Sequence, residues 1–298
     1  MKSGFIAIIG SPNVGKSSLL NVLIGQKVSI VSPKAQTTRD RIMGILTEGD
    51  TQMVFVDTPG TVRPGNKLGE YMDKCIKSAK EDCDAIVVVM DANRPILTKD
   101  VEFIQRHLSM GVPVFVALNK VDLVGFERVY PILEKLSPLV SAEKDRRVSE
   151  IIPISCKTKK NISVLKGFLV GCLKDGAMYF DPEDVSDKSV SFLAGEIIRE
   201  KTLWLLQDEI PHGIGVLLQN FEVDGEITRI EADIVCEKSS HKEIIIGKDG
   251  AMLKEIGTRA RIDIEKLVDG KVFLKLFVKV RTDWRKKGNI LADLGYEV

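Results

Sequence analysis

The chain has 298 residues, of which 44% are apolar and 29% are charged, and its formal net charge is +1. This length suits two domains better than one, and the composition predicts ordinary globular cores. No apolar run reaches the roughly 18 residues of a membrane-spanning helix, and the first apolar run predicts a strand, not a secretory signal. The five cysteines are scattered without a C-x-x-C pair, which favours a reducing cytoplasm over disulfide or zinc frameworks.

Up to residue 174 the chain alternates short apolar runs with amphipathic segments. The runs FIAIIG, MVFVDTPG, AIVVVMDAN, VFVALNKVD and IIPISCK are each typical of a buried strand. Continuous Val/Ile runs separated by helices predict a mostly parallel sheet that is covered on both faces. Ligands bind such sheets at the carboxyl ends of the strands. We therefore predict an α/β domain over residues 1–174.

The first strand leads into GSPNVGKS, which fits the pattern G-x-x-x-x-G-K-[ST]. Glycines let backbone N–H groups turn inward around phosphate oxygens, Lys16 can reach the β- and γ-phosphates, and the Ser17 hydroxyl can ligate Mg²⁺. The loop follows a strand and opens a helix, as a phosphate loop requires, so a ligand-free turn is a weak alternative. The residues predicted to contact the nucleotide here are Gly10, Ser11, Pro12, Asn13, Val14, Gly15, Lys16, Ser17 and Ser18.

Two further stretches could complete the phosphate end of the site. Asp57, at the end of a strand, can hold Mg²⁺ through water, and the Gly60 N–H can meet the γ-phosphate, although an ordinary Pro-Gly turn looks the same. Thr38 lies in a polar segment and could complete the Mg²⁺ shell, with a plain solvent loop as the alternative. The predicted residues are Asp57, Thr58, Pro59 and Gly60, then Gln36, Thr37, Thr38, Arg39 and Asp40 as a switch segment, with Lys16, Thr38, Asp57 and Gly60 as the catalytic set.

The sequence Asn119-Lys120-Val121-Asp122 follows the predicted strand VFVAL. A carboxylate at Asp122 can accept hydrogen bonds from N1–H and the 2-amino group of guanine, and adenine lacks both donors. Asn119 can tie this loop to the phosphate loop, and the stem of Lys120 can lie over the base. The last predicted strand ends in three residues whose backbone N–H groups could reach the base, with a plain strand end as the alternative: Ile154, Ser155 and Cys156.

After residue 174 the pattern changes. The polar stretch GAMYFDPEDVSDKS predicts a linker over residues 175–189, and the order that follows is α-β-β-α-α-β. The first helix is predicted over about residues 190–209, with Trp204 in the core, and Asp224-Gly225 signals a hairpin between the first two strands. We predict a helix-covered α+β domain over residues 190–298.

Charge and glycine spacing both single out this second domain. Residues 238–287 carry 14 Lys/Arg and 7 Asp/Glu, a net charge of +7, so the rest of the chain sums to −6. An excess of this kind suggests a polyanionic partner, and a solvated face is the alternative. The K-homology (KH) fold uses a GXXG loop between two helices to clamp the backbone of a single RNA strand, although a plain helix–helix turn can also read GXXG. The predicted RNA contacts are Gly247, Lys248, Asp249, Gly250, Lys242, Lys254 and Arg259.

These motifs together resemble the Era family of bacterial ribosome-assembly GTPases, which join a TrmE-Era-Der-type G domain to a C-terminal type II KH domain. The resemblance covers essentially the whole chain and extends to GQKVSIVSPKAQTTRDRI and GEIIREK. It implies Mg²⁺ carried by Ser17 and Thr38, K⁺ at Asn13, and slow hydrolysis of GTP to GDP and phosphate, with no catalytic role for Thr61. Arg39 is expected to form a surface ion pair. Cys156 is a departure, because the family usually has alanine there.

The same resemblance implies the biological setting. Members of this family bind the 3′ end of small-subunit (16S) rRNA and assist maturation of the 30S subunit in the cytoplasm, with peripheral association at the inner face of the cell membrane. A monomer without disulfide partners is expected. Other readings are a GTPase for tRNA modification, an RNA-binding module switched by GTP without hydrolysis, and a scaffold. The lack of a C-terminal cysteine and of that branch's domain layout disfavours the first. The second is disfavoured by the intact Lys16, Ser17, Thr38 and Asp57.

Overall fold

The computed structural model describes residues 1–34, 36–60, 65–81, 83–108, 110–140, 148–207 and 210–296. Thr61 lies outside these ranges. The chain packs as two compact units. The first unit comprises Met1–Ser29, Arg41–Thr61 and Cys75–Asp187, and the second comprises Ile30–Asp40, Val62–Lys74 and Lys188–Val298.

The first unit is built on a sheet whose strands are mostly parallel. Its described strands are β1 (Lys2–Ile9), β2 (Ile42–Glu48), β3 (Thr51–Asp57), β4 (Ala85–Asp91), β5 (Val114–Asn119), β6 (Val148–Pro153) and β7 (Lys174–Asp175). The order is β2-β3-β1-β4-β5-β6, and β7 pairs antiparallel with the start of β1. Strands β3, β1, β4, β5 and β6 run parallel, whereas β2 runs antiparallel to β3 at the edge. The predicted α/β class is confirmed.

The central strands are apolar on both faces because helices cover both faces. Every residue of β4 and of β5 is buried. The helices associated with this sheet are α1 (Lys16–Ile24), α2 (Lys67–Glu81), α3 (Thr98–Leu108), α4 (Phe126–Val140) and α5 (Ile162–Val170). Ile104 of α3 and Leu136 of α4 pack with Val88 and Val116 in one apolar cluster. The carboxyl ends of the parallel strands therefore lie along one edge of the sheet, and the predicted nucleotide motifs follow these ends.

Besides the two-residue strand β7, two elements associated with this sheet lack a counterpart in the sequence prediction. Strand β2 contains Gly44, where a Cβ would approach Leu20 Cδ1 to 2.5 Å, so close packing on α1 replaces a continuous apolar run. Helix α2 begins in the polar sequence KLGEY and buries an intermittent apolar stripe. Its buried residues are Leu68, Met72, Cys75, Ile76 and Ala79.

The stretch predicted as a linker follows the first unit closely. The Ser3 hydroxyl donates to the Ala177 carbonyl at 2.8 Å. The amides of Tyr179 and Phe180 donate to the buried Gln52 Oε1 at 2.8 and 3.0 Å. Further on, the Ile45 amide donates to the Val185 carbonyl. A polar composition here reflects backbone and side-chain bonding along the sheet edge.

The second unit contains a three-stranded sheet covered by helices. Its described elements, besides the first part of α2, are α6 (Val190–Leu205), β8 (Gly215–Asp224), β9 (Ile227–Cys236), α7 (Ser239–Ile246), α8 (Ala251–Val268), β10 (Lys271–Val280) and α9 (Gly288–Asp293). Strand β9 is central, antiparallel to β8 and parallel to β10. Helices α6 and α8 bury Ile197 and Ile256 against the sheet. The predicted α-β-β-α-α-β order is confirmed, with α9 added after it.

Three local predictions in this unit need correction. Helix α6 ends at Leu205, short of the predicted end at residue 209, because Leu206 takes an extended conformation and is buried in the core. The hairpin turns at Gly225-Glu226, since Asp224 still pairs with Ile227. Trp204 is 54% exposed, so its placement in the core was wrong.

In the described part of the chain, no helix is long and apolar enough to cross a membrane.

Candidate functional site

The loop between β1 and α1 needs glycine at two positions. Gly10 has φ +150° and Gly15 has φ +103°. A Cβ on Gly10 would lie 2.5 Å from the Val89 carbonyl oxygen, and one on Gly15 would lie 2.3 Å from Asn119 Nδ2. Both contacts are shorter than real Cβ contacts, so the loop depends on backbone freedom and on space. Its geometry matches the predicted phosphate loop.

Lys16 is bent back over this loop. Its Nζ donates to the carbonyl oxygens of Gly10 at 3.1 Å and of Ser11 at 3.0 Å. Burial lowers the pKa of Lys16, and the negative charge of Asp57 opposes that effect. A buried ammonium that donates to carbonyl oxygens gains strongly from a nearby anion, as the phosphates of a nucleotide would provide.

Asp57 ends β3 and is fully buried beside the phosphate loop. Its Oδ2 accepts hydrogen bonds from the hydroxyls of Ser17 at 2.6 Å and Ser29 at 3.0 Å. No donor among the described residues reaches Asp57 Oδ1. Burial raises the pKa of Asp57, and the charge of Lys16 works in the opposite direction. A buried carboxylate with an unused oxygen next to a serine hydroxyl fits a magnesium ion, which prefers such oxygen ligands.

The turn after Asp57 lies against the phosphate loop. The Thr58 hydroxyl donates to the Ile8 carbonyl at 3.2 Å. A Cβ on Gly60 would meet Pro12 Cα at 3.0 Å, so this glycine allows close approach of the two loops. The predicted phosphate-binding segments therefore come together at the ends of β1 and β3.

The base-reading motif forms the other end of the site. Asn119 Nδ2 donates to the Val14 carbonyl at 2.9 Å, which ties the end of β5 to the phosphate loop. Asp122 Oδ1 accepts a hydrogen bond from the Ser155 hydroxyl at 2.6 Å, which orients the carboxylate. A cavity of about 460 Å³ opens between these groups. Its lining residues are Gly15, Ser18, Asn119, Lys120, Asp122, Leu123, Cys156 and Lys157.

The predicted strand-end residues 154–156 lie beside this cavity, and their amides are hydrogen-bonded within the protein. The amides of Ile154, Ser155 and Cys156 donate to Leu118 O, Lys160 O and Asn119 Oδ1, so all three are already bonded within the protein. Ser155 and Cys156 also hold the side chains of Asp122 and Asn119 in place through hydrogen bonds. Burial also raises the pKa of Cys156 to about 12, which keeps its thiol neutral.

Two further residues hold the predicted site residues in place and were not predicted from the sequence. Asp91 ends β4, and its Oδ2 accepts a hydrogen bond from Lys120 Nζ at 2.7 Å, while the same Nζ donates to the Asn13 carbonyl at 2.8 Å. Asp91 therefore fixes the lysine of the base-reading motif. Asp91 could have been predicted from the sequence, because it ends a predicted parallel strand and ligands bind at the carboxyl ends of such strands. Ser29, the second donor to Asp57, had no such signal.

The predicted switch segment lies in the second unit. The Thr37 hydroxyl donates to the Lys34 carbonyl at 2.6 Å, and Thr38 is buried. Asp40 accepts a hydrogen bond from the Tyr71 hydroxyl, and burial raises the pKa of Asp40. Arg39 is only 2% exposed, so the expected surface ion pair was wrong. Gln36 has a positive φ of 60°, which marks a tight turn in this segment.

The second glycine loop joins α7 to α8. Gly247 and Gly250 have φ values of +71° and +77°, and Asp249 between them has φ +51°. A Cβ on Gly247 would lie 2.7 Å from Met252 Cβ, whereas Gly250 faces open space. The loop is thus a tight backbone turn with an open side where a strand backbone could approach.

Lysines surround this loop. Lys248 and Lys254 are exposed, Lys242 is half-buried, and none of the three forms an ion pair within the described ranges. Arg259 is bonded to Glu255 at 2.7 Å, so part of its charge is neutralised. Lys242, Lys248 and Lys254 are therefore the stronger candidates for phosphate contacts.

Family models match both units. The model described as a 50S ribosome-binding GTPase matches residues 5–120, and the model described as a KH domain matches residues 209–285. GTPase Era of Clostridium kluyveri is 45% identical over 298 residues, all of both chains. GTPase Era of Ruminiclostridium cellulolyticum is 43% identical over 297 residues, 99% of this chain and 98% of that protein.

Two solved Era structures are similar to this chain over its full length. One is a tyrosine-to-alanine variant of Aquifex aeolicus Era bound to GDP and AlF₄⁻, with 36% identity and a TM-score of 0.93. The other is Era in complex with MgGDPNP and nucleotides 1506–1542 of 16S ribosomal RNA, with 36% identity and a TM-score of 0.92. Each covers 100% of both chains. With its phosphate loop, its base-reading motif and its GXXG loop, the chain belongs to the GTPase Era family.

Proposed function

We propose that this GTPase binds the 3′ end of small-subunit rRNA through its second domain and assists maturation of the 30S subunit. The observation that carries the proposal is the open GXXG turn of Gly247–Gly250, beside three lysines that form no ion pair with the described residues. The chain is also similar to an Era protein bound to that RNA. The three lysines supply charge for phosphate contacts, and the two glycines let the RNA backbone come close.

The proposed nucleotide site divides into a phosphate end and a base end. At the phosphate end the backbone of residues 10–18 and Lys16 hold the phosphates, and the Gly60 N–H meets the γ-phosphate. Lys16 already points across the loop, so little reorganisation precedes binding. At the base end Asp122 accepts hydrogen bonds from N1–H and the 2-amino group of guanine. Adenine lacks both donors, so it would leave the carboxylate unpaired.

Magnesium is the proposed metal of this site. Ser17, Asp57 and Thr38 are the residues that would hold it, the aspartate through water. When bound, the ion neutralises charge on the phosphate oxygens. The unused oxygen of Asp57 supports the assignment.

Potassium is a further proposed ion, at Asn13. This residue lies in the phosphate loop, where its backbone has a positive φ of 63°. Turnover faster in K⁺ than in Na⁺ at equal ionic strength supports this site, and equal rates refute it.

The proposed domain boundaries are 1–174 for the G domain, 175–189 for the linker and 190–298 for the KH domain. We place the monomeric protein in the cytoplasm, with peripheral association at the inner face of the membrane. The +7 region around residues 238–287 supports an anionic partner of either kind. Flotation with anionic vesicles, with and without RNA as competitor, tests the membrane part.

The RNA proposal has a matched test within the second domain. Gly250 and Gly225 both have positive φ and both face open space, but Gly225 lies in the β8–β9 hairpin. Gly250→Asp adds a negative charge where the RNA phosphates would lie, so we expect at least tenfold weaker binding of a 16S 3′-end oligonucleotide, measured by fluorescence anisotropy. Gly225→Asp should bind as the unmodified protein does. Equal affinity of both variants would refute the GXXG loop as the RNA site.

GTP hydrolysis in K⁺ buffer, with and without the same oligonucleotide, completes the test. Stimulation that disappears in Gly250→Asp supports linked sites. If the rate of GTP hydrolysis is the same with and without RNA in every variant, the two activities act separately.

A further inference from the structure

The segment Ile30–Asp40 contains the proposed magnesium ligand Thr38, yet it packs with the second unit. Helix α6 reaches its main chain at two places. The Val31 amide donates to Glu200 Oε1 at 2.9 Å, and the Trp204 indole N–H donates to the Val31 carbonyl at 2.8 Å. Both hydrogen-bonding groups of one residue are therefore held by the same helix.

The third contact lies next to Thr38. Arg199 Nη2 donates to the Thr37 carbonyl at 2.5 Å, and its guanidinium is paired with Glu196 through Nε and Nη2. Burial alone would lower the pKa of Arg199, but the charge of Glu196 outweighs it and the pKa is raised. Arg199 is 1% exposed, and its Nη1 finds no acceptor in the described part of the chain. Glu196 thus fixes an arginine whose Nη2 also holds the backbone beside Thr38.

The residue after Thr38 is anchored as well. Arg39 Nη1 donates to the Ile214 carbonyl at 2.6 Å, and the guanidinium lies 5.6 Å from the ring centre of Trp284. The chain is therefore fixed at Val31 and Thr37 before Thr38, and at Arg39 after it. Buried charged groups contribute little net stability, because the cost of removing them from water offsets their mutual attraction. A role in positioning the backbone explains this cluster better than a stabilising role does.

A purely structural reading is that the cluster stabilises the second domain. It does not explain why the bonds from α6 end on the main chain of Val31 and Thr37. Bonds to main-chain atoms fix backbone position, and backbone position decides where the Thr38 hydroxyl can reach. A loop that is already ordered also loses less entropy when it closes around a ligand.

We propose that Arg199, Glu200 and Trp204 of α6 are positioning residues for GTP hydrolysis, which hold the main chain around Thr38 in place for magnesium coordination. This inference rests on the proposed role of Thr38. Through these bonds a helix of the RNA-binding domain sets the geometry of a GTPase residue. Loss of any of them should lower kcat while leaving GDP affinity unchanged, because GDP lacks the γ-phosphate beside which Thr38 acts.

Trp204→Phe is the cleanest variant, because it removes the indole N–H from an exposed side chain and keeps an aromatic ring. Arg199→Lys keeps the charge beside Glu196 and loses the fork geometry. We expect kcat to fall about threefold in Trp204→Phe and about tenfold in Arg199→Lys, from the usual worth of neutral and charge-assisted hydrogen bonds. Thr202→Val is the matched control, since the Thr202 hydroxyl bonds only within α6, to Ile198.

The two variants are then combined with Thr38→Ala in double-mutant cycles. If α6 acts through Thr38, Trp204→Phe and Arg199→Lys lower kcat in the unmodified background and have no further effect in the Thr38→Ala background. Unchanged kcat in both single variants overturns the inference, and so does a loss of equal size in both backgrounds. If Thr38→Ala itself leaves kcat unchanged, the proposed role of Thr38 fails instead.

Discussion

At the scale of single residues, Gly15 shows that two constraints act at one position. Its φ of +103° disfavours any side chain, and Asn119 Nδ2 fills the space that a Cβ would need. Asn119 in turn bonds the Val14 carbonyl. Gly15 thus joins the phosphate end of the site to the base end.

Gly15→Ala should weaken GDP binding about 10- to 100-fold, because the new Cβ displaces Asn119 and strains the loop. Gly25→Ala is the matched control: Gly25 also has positive φ, at +80°, but has open space around it. It should cost about 1 kcal/mol of folding free energy and leave GDP affinity unchanged. Titration calorimetry measures the GDP affinity of both variants. An equal loss of affinity would contradict this account, because it would show that backbone strain and not the contact with Asn119 is responsible.

Asp57 predicts a pH dependence of the nucleotide-free protein. Burial raises its folded-state pKa above the unfolded value, so the folded state binds the proton more tightly. Its contribution to stability is therefore lost as pH rises through these two pKa values. Asp57→Asn should raise the Tm at pH 7 and abolish magnesium-dependent hydrolysis, and the gain in Tm should shrink as the pH falls through that window. Thermal scans across pH test this, and a lower Tm at every pH would contradict it.

Asp122→Asn should shift the base preference from guanine to xanthine, because an amide can donate to the extra carbonyl of xanthine and cannot accept two donors. The expected loss of GDP affinity is about 100-fold. Competition between GDP and xanthosine diphosphate measures it. Ser155→Ala removes the 2.6 Å hydrogen bond to Asp122. It should weaken GDP binding less than Asp122→Asn does and leave the preference for guanine unchanged.

At the scale of elements, the segment after β10 closes a small core of its own. Trp284 is fully buried, its indole N–H donates to the Gly213 carbonyl at 2.9 Å, and it packs with Leu291, Met72 and Tyr296. The cluster joins the C-terminal elements to the first part of α2. Local sequence patterns do not reveal such a cluster, because its members are far apart in the chain.

Trp284→Phe should destabilise the protein by about 2–4 kcal/mol, since it opens a cavity and leaves the Gly213 carbonyl without its donor. The measurement is chemical or thermal denaturation. Phe273→Leu is the comparison, because Phe273 is half exposed on β10 and should change stability by less than about 0.5 kcal/mol. A smaller loss at Trp284 than at Phe273 would contradict this account of the C-terminal core.

At the scale of the whole molecule, the sequence predicted the parts that are local in the chain. The phosphate loop, the motif at Asn119–Asp122 and the GXXG loop each lie within a few residues, and each follows a strand or joins two helices. The parts that needed the structure are long-range: Lys120 on Asp91, Trp204 on Val31, and Arg39 buried against Ile214. Periodicity cannot pair residues that lie 29 to 175 positions apart in the chain. The expectation that Arg39 forms a surface ion pair was wrong for the same reason, because its partner Ile214 is distant in sequence.

The central claim is that one chain holds a nucleotide in its first glycine loop and RNA in its second, and that the two are linked. Linkage is reciprocal, so the ratio of RNA affinities in the GTP-analogue and GDP states must equal the factor by which RNA changes the preference of the protein for the GTP analogue over GDP.

The most direct measurement is the affinity of a labelled 16S 3′-end oligonucleotide for the protein loaded with GDP or with a non-hydrolysable GTP analogue. We predict binding at least about fivefold tighter with the GTP analogue, and the same factor in the reverse titration. Equal RNA affinity in the two nucleotide states would contradict the account.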